Sequence, residues 1–317
     1  MEVIRTGVIG VGHLGYHHAR LYASLQDVAL VGITDLDATR GREVAAEFET
    51  QFFDDAESLL SANVQAVSVA VPTTDHLQIA RLALQAGADV LVEKPIAGSV
   101  EEAREMLAVA AANNSLLQVG HVERFNGAVL ALTDHIKKPQ FIECHRLSPF
   151  PGRGHDVSVV LDLMIHDLDV VLALTRSPVT SIDAVGIPVF SNSEDIANVR
   201  LRFESGCVAN MTSSRISVDR MRKIRIFEDN AYVSTDYSEQ EVIVYHKKPG
   251  DIPEGLSPME WINIEPLEVS REEPLRLELQ AFVDCVRTRK TPIVSGEDGL
   301  KALELAFEIL DFIKENQ

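Results

Sequence analysis

The sequence predicts an α/β protein in two parts: an N-terminal doubly wound parallel sheet, then an α+β domain built on a large, mostly antiparallel sheet. Three observations carry that expectation. Over the first 120 residues short β-branched runs alternate with longer amphipathic stretches, the pattern of repeated βαβ units. A glycine-rich turn separates the first run from the first amphipathic stretch. After about residue 121 the alternation stops, and one apolar helix is followed by clustered alternating segments. The expected division is a first domain of residues 1–121 and a second of residues 122–317.

The elements follow in order. Val3 to Ile9 reads as a strand and His13 to Ser24 as a helix, and Val28 to Thr34 and Ala38 to Phe48 repeat the pair. Strands recur at Ala66 to Val71, Val90 to Glu93 and Leu116 to Val119, with helical periodicity at His76 to Ala86 and Val100 to Asn113. In the second part, Val157 to Leu174 is a helix apolar nearly all round, hence buried. Ile196 to Glu204 and Cys207 to Ser213 flank Ser205-Gly206 as a hairpin, and Arg222 to Glu228, Ala231 to Thr235 and Glu241 to Tyr245 continue the strands. The stretch Lys247 to Pro266, rich in Pro, Gly and acidic residues, reads as loop. Leu275 to Thr288 and Gly299 to Lys314 return to helix.

Composition excludes several classes. Of 317 residues, 46% are hydrophobic and 24% charged, which leaves ample material for buried cores and excludes global disorder. The 48 acidic residues against 29 basic ones give a net charge of −19, and such a field repels polyphosphate. Neither nucleic acid nor an anionic membrane is an expected partner. Cys144, Cys207 and Cys285 form no CxxC pair, which argues against a disulfide framework or structural zinc and for a reducing compartment. No apolar run reaches the roughly 18 residues of a membrane span. Met1 to Gly15 lacks a basic n-region and a cleavage site. A soluble, cytoplasmic protein is expected.

Gly10-Val11-Gly12-His13-Leu14-Gly15 fits G-x-G-x-x-G between a strand and a helix. The first glycine permits a tight turn, the second lets a pyrophosphate approach the backbone, and the third allows close helix–strand packing. The diphosphate then meets the positive end of the helix dipole. Asp35 ends the second strand, where a carboxylate accepts both ribose hydroxyls. It repels a 2′-phosphate, so NAD is expected rather than NADP, although Arg40 is placed to hold that phosphate. Asp37 reads as the cap of the next helix. His17 and His18 read as one exposed and one packed residue, with no assigned role.

Val71-Pro72-Thr73-Thr74-Asp75-His76 follows one strand, and Glu93-Lys94-Pro95 ends the next. With the glycine turn, these segments resemble the glucose-fructose oxidoreductase/inositol dehydrogenase/MocA family of NAD(P)-dependent sugar and cyclitol dehydrogenases. The resemblance implies a Rossmann domain in which His13, Leu14, Val71, Pro72, Thr73, His76 and Glu93 join the glycines at the cofactor. It implies that Lys94 reaches both the nicotinamide and the reacting carbon, and that a D-x-x-x-H pair, Asp162 and His166, serves the substrate. Pro95 is a candidate for a cis bond that aims the lysine inward.

The residues have their own reading beside that resemblance. Asp162, His166 and Asp169 stand at i, i+4 and i+7, a polar stripe on a buried helix. Burying polar groups is costly unless they pair or face a ligand, so a satisfied core pair competes with a catalytic one. A metal would need a third ligand, for which Asp169 is one turn away, and none is expected. In the catalytic reading His166 takes the hydroxyl proton, Asp162 orients it, and Lys94 stabilises negative charge on the same oxygen.

Two local departures sharpen the substrate. Asp162-Leu163-Met164-Ile165-His166-Asp167 lacks the glycine that the family often carries two residues after the aspartate, and Gly120-His121-Val122-Glu123-Arg124-Phe125-Asn126 is distinctive. Both resemble the branch containing UDP-N-acetylglucosamine 3-dehydrogenases, which implies a nucleotide sugar taken to its 3-keto form for amination in lipid A precursors. Arg124, Asn126 and Arg153 are the further candidate substrate contacts. Arg215, Arg220, Arg222, Lys223 and Arg225, against Asp219 alone, form a basic stretch suited to a diphosphate or to a solvated strand edge. The alternatives are an inositol-type cyclitol or free-sugar dehydrogenase, a glycosidase using NAD transiently, and a non-catalytic NAD-binding regulator. One face of the antiparallel sheet has too few helices to cover it, so a homodimer or homotetramer is expected, as the family also implies.

Overall fold

The computed structural model describes residues 3–150 and 157–316, which form two compact units. The first holds β1 (Ile4–Ile9), α1 (His13–Ser24), β2 (Val28–Thr34), α2 (Ala38–Glu47), β3 (Gln51–Phe52) and α3 (Ala56–Ser61). It continues through β4 (Ala66–Val69), α4 (His76–Gln85), β5 (Asp89–Glu93), α5 (Val100–Ala112) and β6 (Leu117–Gly120). The six strands are all parallel, in the order β3-β2-β1-β4-β5-β6. Every residue of β4 and of β5 is buried, as in a strand covered on both faces, the polar Ser68, Asp89 and Glu93 included. The order reverses between β1 and β4, and doubly wound sheets bind ligands outside the carboxyl ends of the strands at that point.

The second unit contains α6 (Gly127–His135), β7 (Phe141–Leu147) and a π-helical turn, Val160–Met164, that runs into α7 (Ile165–Thr175). Then come β8 (Val179–Ile187), β9 (Ile196–Phe203), β10 (Val208–Ser214), β11 (Met221–Phe227), β12 (Ala231–Asp236), β13 (Glu241–Lys247) and β14 (Ile262–Pro266). They form one eight-stranded sheet in the order β14-β13-β12-β11-β7-β10-β9-β8, antiparallel except for the pair β7 and β10. Ile142, Val199, Leu201, Met211, Ile224, Ile226, Val233 and Val244 alternate onto one face and share a core with α6 and α7. Among the described residues no helix is long and apolar enough to cross a membrane.

The structure adds β3, α3, α6, β7 and β8, which the sequence reading does not contain, and departs from that reading elsewhere too. Lys247 to Pro266 is not all loop, because β14 pairs with β13 from Lys247↔Ile262 to Ile243↔Pro266. An edge strand tolerates Pro266, which obscured it. The long apolar helix starts at Val160 and opens with the wider π turn. A single cut near residue 121 also does not describe the units. α8 (Pro274–Thr288) and the first part of α9 (Gly296–Glu315) belong to the first unit, and α9 from Glu304 onward to the second. Leu279, Phe282, Val283 and Val286 pack with Val8, Tyr22 and Ile33, whereas Leu305, Ala306, Ile309 and Ile313 join the core of the second sheet. An amphipathic pattern shows that a helix has a buried face but not which core receives it.

Candidate active site

In the first unit the glycine turn leaves β1. Gly10 has φ +85°, and a Cβ there would lie 2.7 Å from the Ala70 carbonyl oxygen. A Cβ on Gly15 would lie 1.8 Å from the Gly10 oxygen, so α1 approaches the turn only because this residue is glycine. Gly12 is the opposite case: nothing lies within 4 Å of where its Cβ would be. The exposed space sits at the N-terminus of α1, beside His13 and Leu14 in its first turn, where amides point outward. These residues fit a dinucleotide pyrophosphate.

Asp35, after β2, accepts the Val11 N–H on Oδ2 at 2.6 Å and the Asp37 N–H on Oδ1 at 2.8 Å. A carboxylate accepts at about four lone-pair positions, so acceptor capacity remains for two ribose hydroxyls. Arg40 stays close: its Nε donates to the Val11 oxygen at 3.4 Å, and its guanidinium lies 5.2 Å from the centre of the Tyr16 ring. Asp37 caps α2 by accepting from Thr39 and Arg40 N–H groups. Gly10, Gly12, Asp35, Val71 and Pro72 line a cleft of about 660 Å³. Asp54, Asp55 and Glu57 also line it and escaped the sequence reading, since a two-residue β3 carries no periodic signal, and Asp75 and Arg81 line it from segments in which the sequence reading gives neither residue a role.

The lysine segment follows β5. The Lys94–Pro95 bond is cis, and Lys94 is half-buried. Thr73 opens a short turn, Thr73–Asp75, between Pro72 and α4. Two of the expected cofactor contacts have partners within the protein. His76 is 1% exposed, with Nδ1 2.9 Å from the Pro95 oxygen and Nε2 3.0 Å from the Val71 oxygen; a neutral ring carries one N–H, so it sits between the two loops and donates to one of these carbonyls. Burial pushes its imidazole below the ordinary range, although the two carbonyls and Glu93 oppose that shift. Glu93 is also enclosed: Oε1 lies 2.9 Å from His18 Nε2, and Oε2 accepts the Lys94 N–H at 3.2 Å. His18, given no role from sequence, is completely buried.

In the second unit, Asp162 lies in the π turn and His166 in the first turn of α7. π turns inside helices recur at functional sites. Both residues are only partly buried. The enclosed carboxylates of this helix are Asp167 and Asp169, at 3% and 2% exposure, and each is held by an arginine. Arg146 on β7 donates to both Asp167 oxygens at 2.9 Å and to Glu123 Oε1 at 3.0 Å, with its guanidinium 5.8 Å from the Tyr237 ring centre. Burial works against the Arg146 charge, but Asp167 and Glu123 outweigh it and raise the guanidinium further above its ordinary range. Arg124 Nη1 donates to Asp169 Oδ1 at 3.3 Å.

Other expected substrate contacts are displaced. Asn126 is 5% exposed; its Oδ1 caps α6 through the Ala128 N–H and its Nδ2 donates to the Tyr237 oxygen, so its polar atoms have partners within the protein. Arg153 lies outside the described residues. The basic stretch is not a free patch. Arg215 is 1% exposed and donates through Nε to Asp195 Oδ1 at 2.8 Å and through Nη1 to the Val157 oxygen at 2.6 Å. Lys223 pairs with Asp236 at 3.3 Å and Arg225 with Glu143 at 3.2 Å. β11 lies inside the sheet, so the strand-edge reading fails as well.

Residues 4–121 match the profile of an oxidoreductase family with an NAD-binding Rossmann fold, and residues 136–234 match the GFO/IDH/MocA C-terminal domain. The chain is 34% identical to the UDP-N-acetylglucosamine 3-dehydrogenase of Acidithiobacillus ferrooxidans, over 96% of each chain. A solved structure of that enzyme superposes with a TM-score of 0.92 over 99% of both chains. The scyllo-inositol 2-dehydrogenase (NAD(+)) of Bacillus subtilis is 28% identical over 95% of this chain and 92% of its own. With the glycine cradle and its cleft in place and both halves of the chain matched, this protein belongs to the GFO/IDH/MocA family of NAD-binding oxidoreductases.

Proposed function

We propose that this protein is a dehydrogenase that oxidises the 3-hydroxyl of UDP-N-acetylglucosamine, or a close nucleotide sugar, to the 3-ketone. The observation that carries the substrate is the 34% identity over 96% of the chain to an enzyme of that activity, against 28% to the inositol enzyme. Bound NAD supplies the hydride acceptor. NAD is favoured over NADP because Asp35 shares its cleft with Asp54, Asp55, Glu57 and Asp75, a setting that repels a 2′-phosphate.

His166 is the base: it takes the hydroxyl proton as the carbon–hydrogen bond breaks and the carbonyl forms. An imidazole ordinarily titrates near about 6.5, which suits proton acceptance at neutral pH. Asp162 orients His166, and Lys94 donates to the substrate oxygen. Support for this over a structural pair comes from burial, since Asp162 and His166 are the partly exposed polar residues of a segment whose enclosed carboxylates have arginine partners. Arg124 and Arg153 are proposed substrate contacts. The inositol-type reading remains a second candidate for a specific reason: with Arg215 enclosed and Lys223 and Arg225 paired, only Arg220 and Arg222 of the basic stretch are left to speak for a diphosphate.

The enzyme is proposed to work in the cytoplasm as a homodimer or homotetramer, without nucleic acid or membrane, and to supply a 3-keto sugar for amination towards lipid A precursors. The test is incubation with NAD and either UDP-N-acetylglucosamine or myo-inositol, reading NADH and product mass together. The expected result is a product lighter by two hydrogen atoms with equimolar NADH from the nucleotide sugar alone. Turnover of myo-inositol alone selects the second reading. Cleaved sugar with no net NADH overturns both in favour of a glycosidase.

A further inference from the structure

Beneath Lys94 lies a chain of buried side chains that the catalytic reading does not use. The Glu93 carboxylate is 7% exposed, and a Cβ on Gly120, at the end of the neighbouring β6, would lie 3.0 Å from its Cδ and Oε2. A carboxylate only accepts, so the hydrogen between Glu93 Oε1 and His18 Nε2 belongs to His18. The opposite ring nitrogen, Nδ1, lies 2.9 Å from Ser68 Oγ, and Ser68 Oγ lies 2.9 Å from the Tyr22 hydroxyl. Burial raises the Tyr22 phenol far above its ordinary range, so it stays neutral. Tyr22, Ser68, His18 and Glu93 thus form one continuous hydrogen-bonded chain that ends on a His18 N–H donated to Glu93.

The geometry ties separate elements to one point. Tyr22 and His18 stand one turn apart on α1, the helix that follows the glycine turn, while Ser68 is on β4 and Glu93 ends β5. His18, Ser68 and Tyr22 are each wholly buried. Burial alone would neutralise Glu93, but the His18 bond and the nearby Lys94 charge outweigh it and keep the carboxyl below its ordinary range. Its second oxygen accepts the Lys94 main-chain N–H.

We propose that His18 is a positioning residue for catalysis: backed by Ser68 and Tyr22, it fixes the Glu93 carboxylate that holds the main chain of Lys94, and so links the cofactor-binding helix to the placement of the catalytic amine. The inference rests on the proposed role of Lys94. Misplacing a catalytic group by about 1 Å costs up to about a hundredfold in rate.

The test compares His18→Gln, whose side-chain amide can present a donor near the Nε2 position, with His18→Leu, which presents none. The substrate is whichever of UDP-N-acetylglucosamine or myo-inositol the wild type turns over. His18→Leu is expected to lower kcat about ten- to a hundredfold with KM and the NAD dissociation constant within about threefold, and His18→Gln to restore most of kcat. In the protein without NAD, the rate of reductive methylation at Lys94, read by peptide mass spectrometry, should change in His18→Leu while other lysines keep theirs. If His18→Leu does not fold, Ser68→Ala, which removes only the hydroxyl behind His18, carries the same kcat and labelling measurements. Wild-type kcat and Lys94 labelling in the folded variant overturn the proposal, as does a loss of activity that merely follows the folded fraction. Lys94→Ala separates the two levels: if it retains turnover, the catalytic reading of Lys94 fails; if it is inactive while the His18 variants are normal, only the positioning role fails.

Discussion

A carboxylate that accepts two main-chain N–H groups is held in one orientation, and Val11 and Asp37 hold Asp35 in this way. Its remaining lone pairs therefore face a fixed direction, and the proposed ribose selection rests on this one side chain. Hydrogen bonds to a charged group contribute about 1.5–3 kcal/mol each, so Asp35→Ala should weaken NAD binding at least tenfold and narrow the preference over NADP. Titrating wild type and variant with both dinucleotides checks this, and equal or tighter NADP binding by the wild type would refute the account and point to Arg40. His166→Ala should lower turnover by about 10²–10⁴ and leave NAD affinity nearly unchanged, because the glycine turn and Asp35 belong to the other unit. A core-pair role predicts instead a lower melting temperature with full activity per folded molecule, so NADH production beside a melting curve decides. At this scale the sequence was readable where a role is local. Gly15, which closes on Gly10, and the Asp37 cap act within a few residues of themselves. Glu93, His76, Asn126 and Arg215 could not be read this way because their residue types suit a ligand and an internal bond equally, and the His18 partner of Glu93 is 75 residues away.

Elements were legible in proportion to the cleanness of their pattern. β7 alternates strictly between core and surface, but one inward position is Arg146, which breaks the apolar reading and makes sense only with Asp167 on α7 opposite it. Removing one partner of a buried pair costs about 3–5 kcal/mol, while replacing both with apolar residues is often neutral. Arg146→Ala should therefore lower the unfolding free energy by that amount, and Arg146→Met combined with Asp167→Leu and Glu123→Gln, which leaves neither carboxylate buried alone, should recover most of it. Urea unfolding of the three proteins checks the pattern, and a loss below about 1 kcal/mol for Arg146→Ala would refute it. The turn between β8 and β9 has a similar anchor. Asp195 Oδ2 accepts the N–H groups of Val189, Phe190 and Ser191, and Oδ1 accepts Arg215. Burial raises the Asp195 pKa, but these donors outweigh it and hold the carboxyl well below its ordinary range. Because the folded value is depressed, the stabilisation is complete above the unfolded value near about 3.9 and is lost as pH falls through the folded one. Asp195→Asn should thus lower stability at neutral pH and flatten the loss seen between about pH 4 and pH 2, as melting curves across that range will show.

For the whole molecule the open question is what the second sheet does with its other face. The core side is filled by α6, α7 and the end of α9. On the opposite side strand register places Phe141 beside Phe227, Phe227 beside Tyr232, and Tyr232 beside Tyr245. Their ring centres are 5.7, 4.8 and 5.0 Å apart, so four half-exposed aromatic rings form a row across β7, β11, β12 and β13. The pairs Lys223–Asp236 and Arg225–Glu143 lie on the same strands, so the surface combines apolar area with matched charges. A contiguous apolar row rimmed by polar groups marks an association surface, and a two-fold axis lets one patch cover its own copy. Sequence could supply the shortage of helices but not the row, since the alignment of four rings depends on pairing between strands far apart in the chain. Light scattering should give a mass that is a multiple of 34.9 kDa. Tyr232→Asp should shift that mass towards a single chain, because a carboxylate buried at the centre of the contact costs several kcal/mol without a partner. Losing the interface should also lower the melting temperature and make it less dependent on protein concentration. A wild-type particle of 34.9 kDa at micromolar concentration would refute the association. An oligomer left intact by both Tyr232→Asp and Tyr245→Asp would place the interface elsewhere on the molecule.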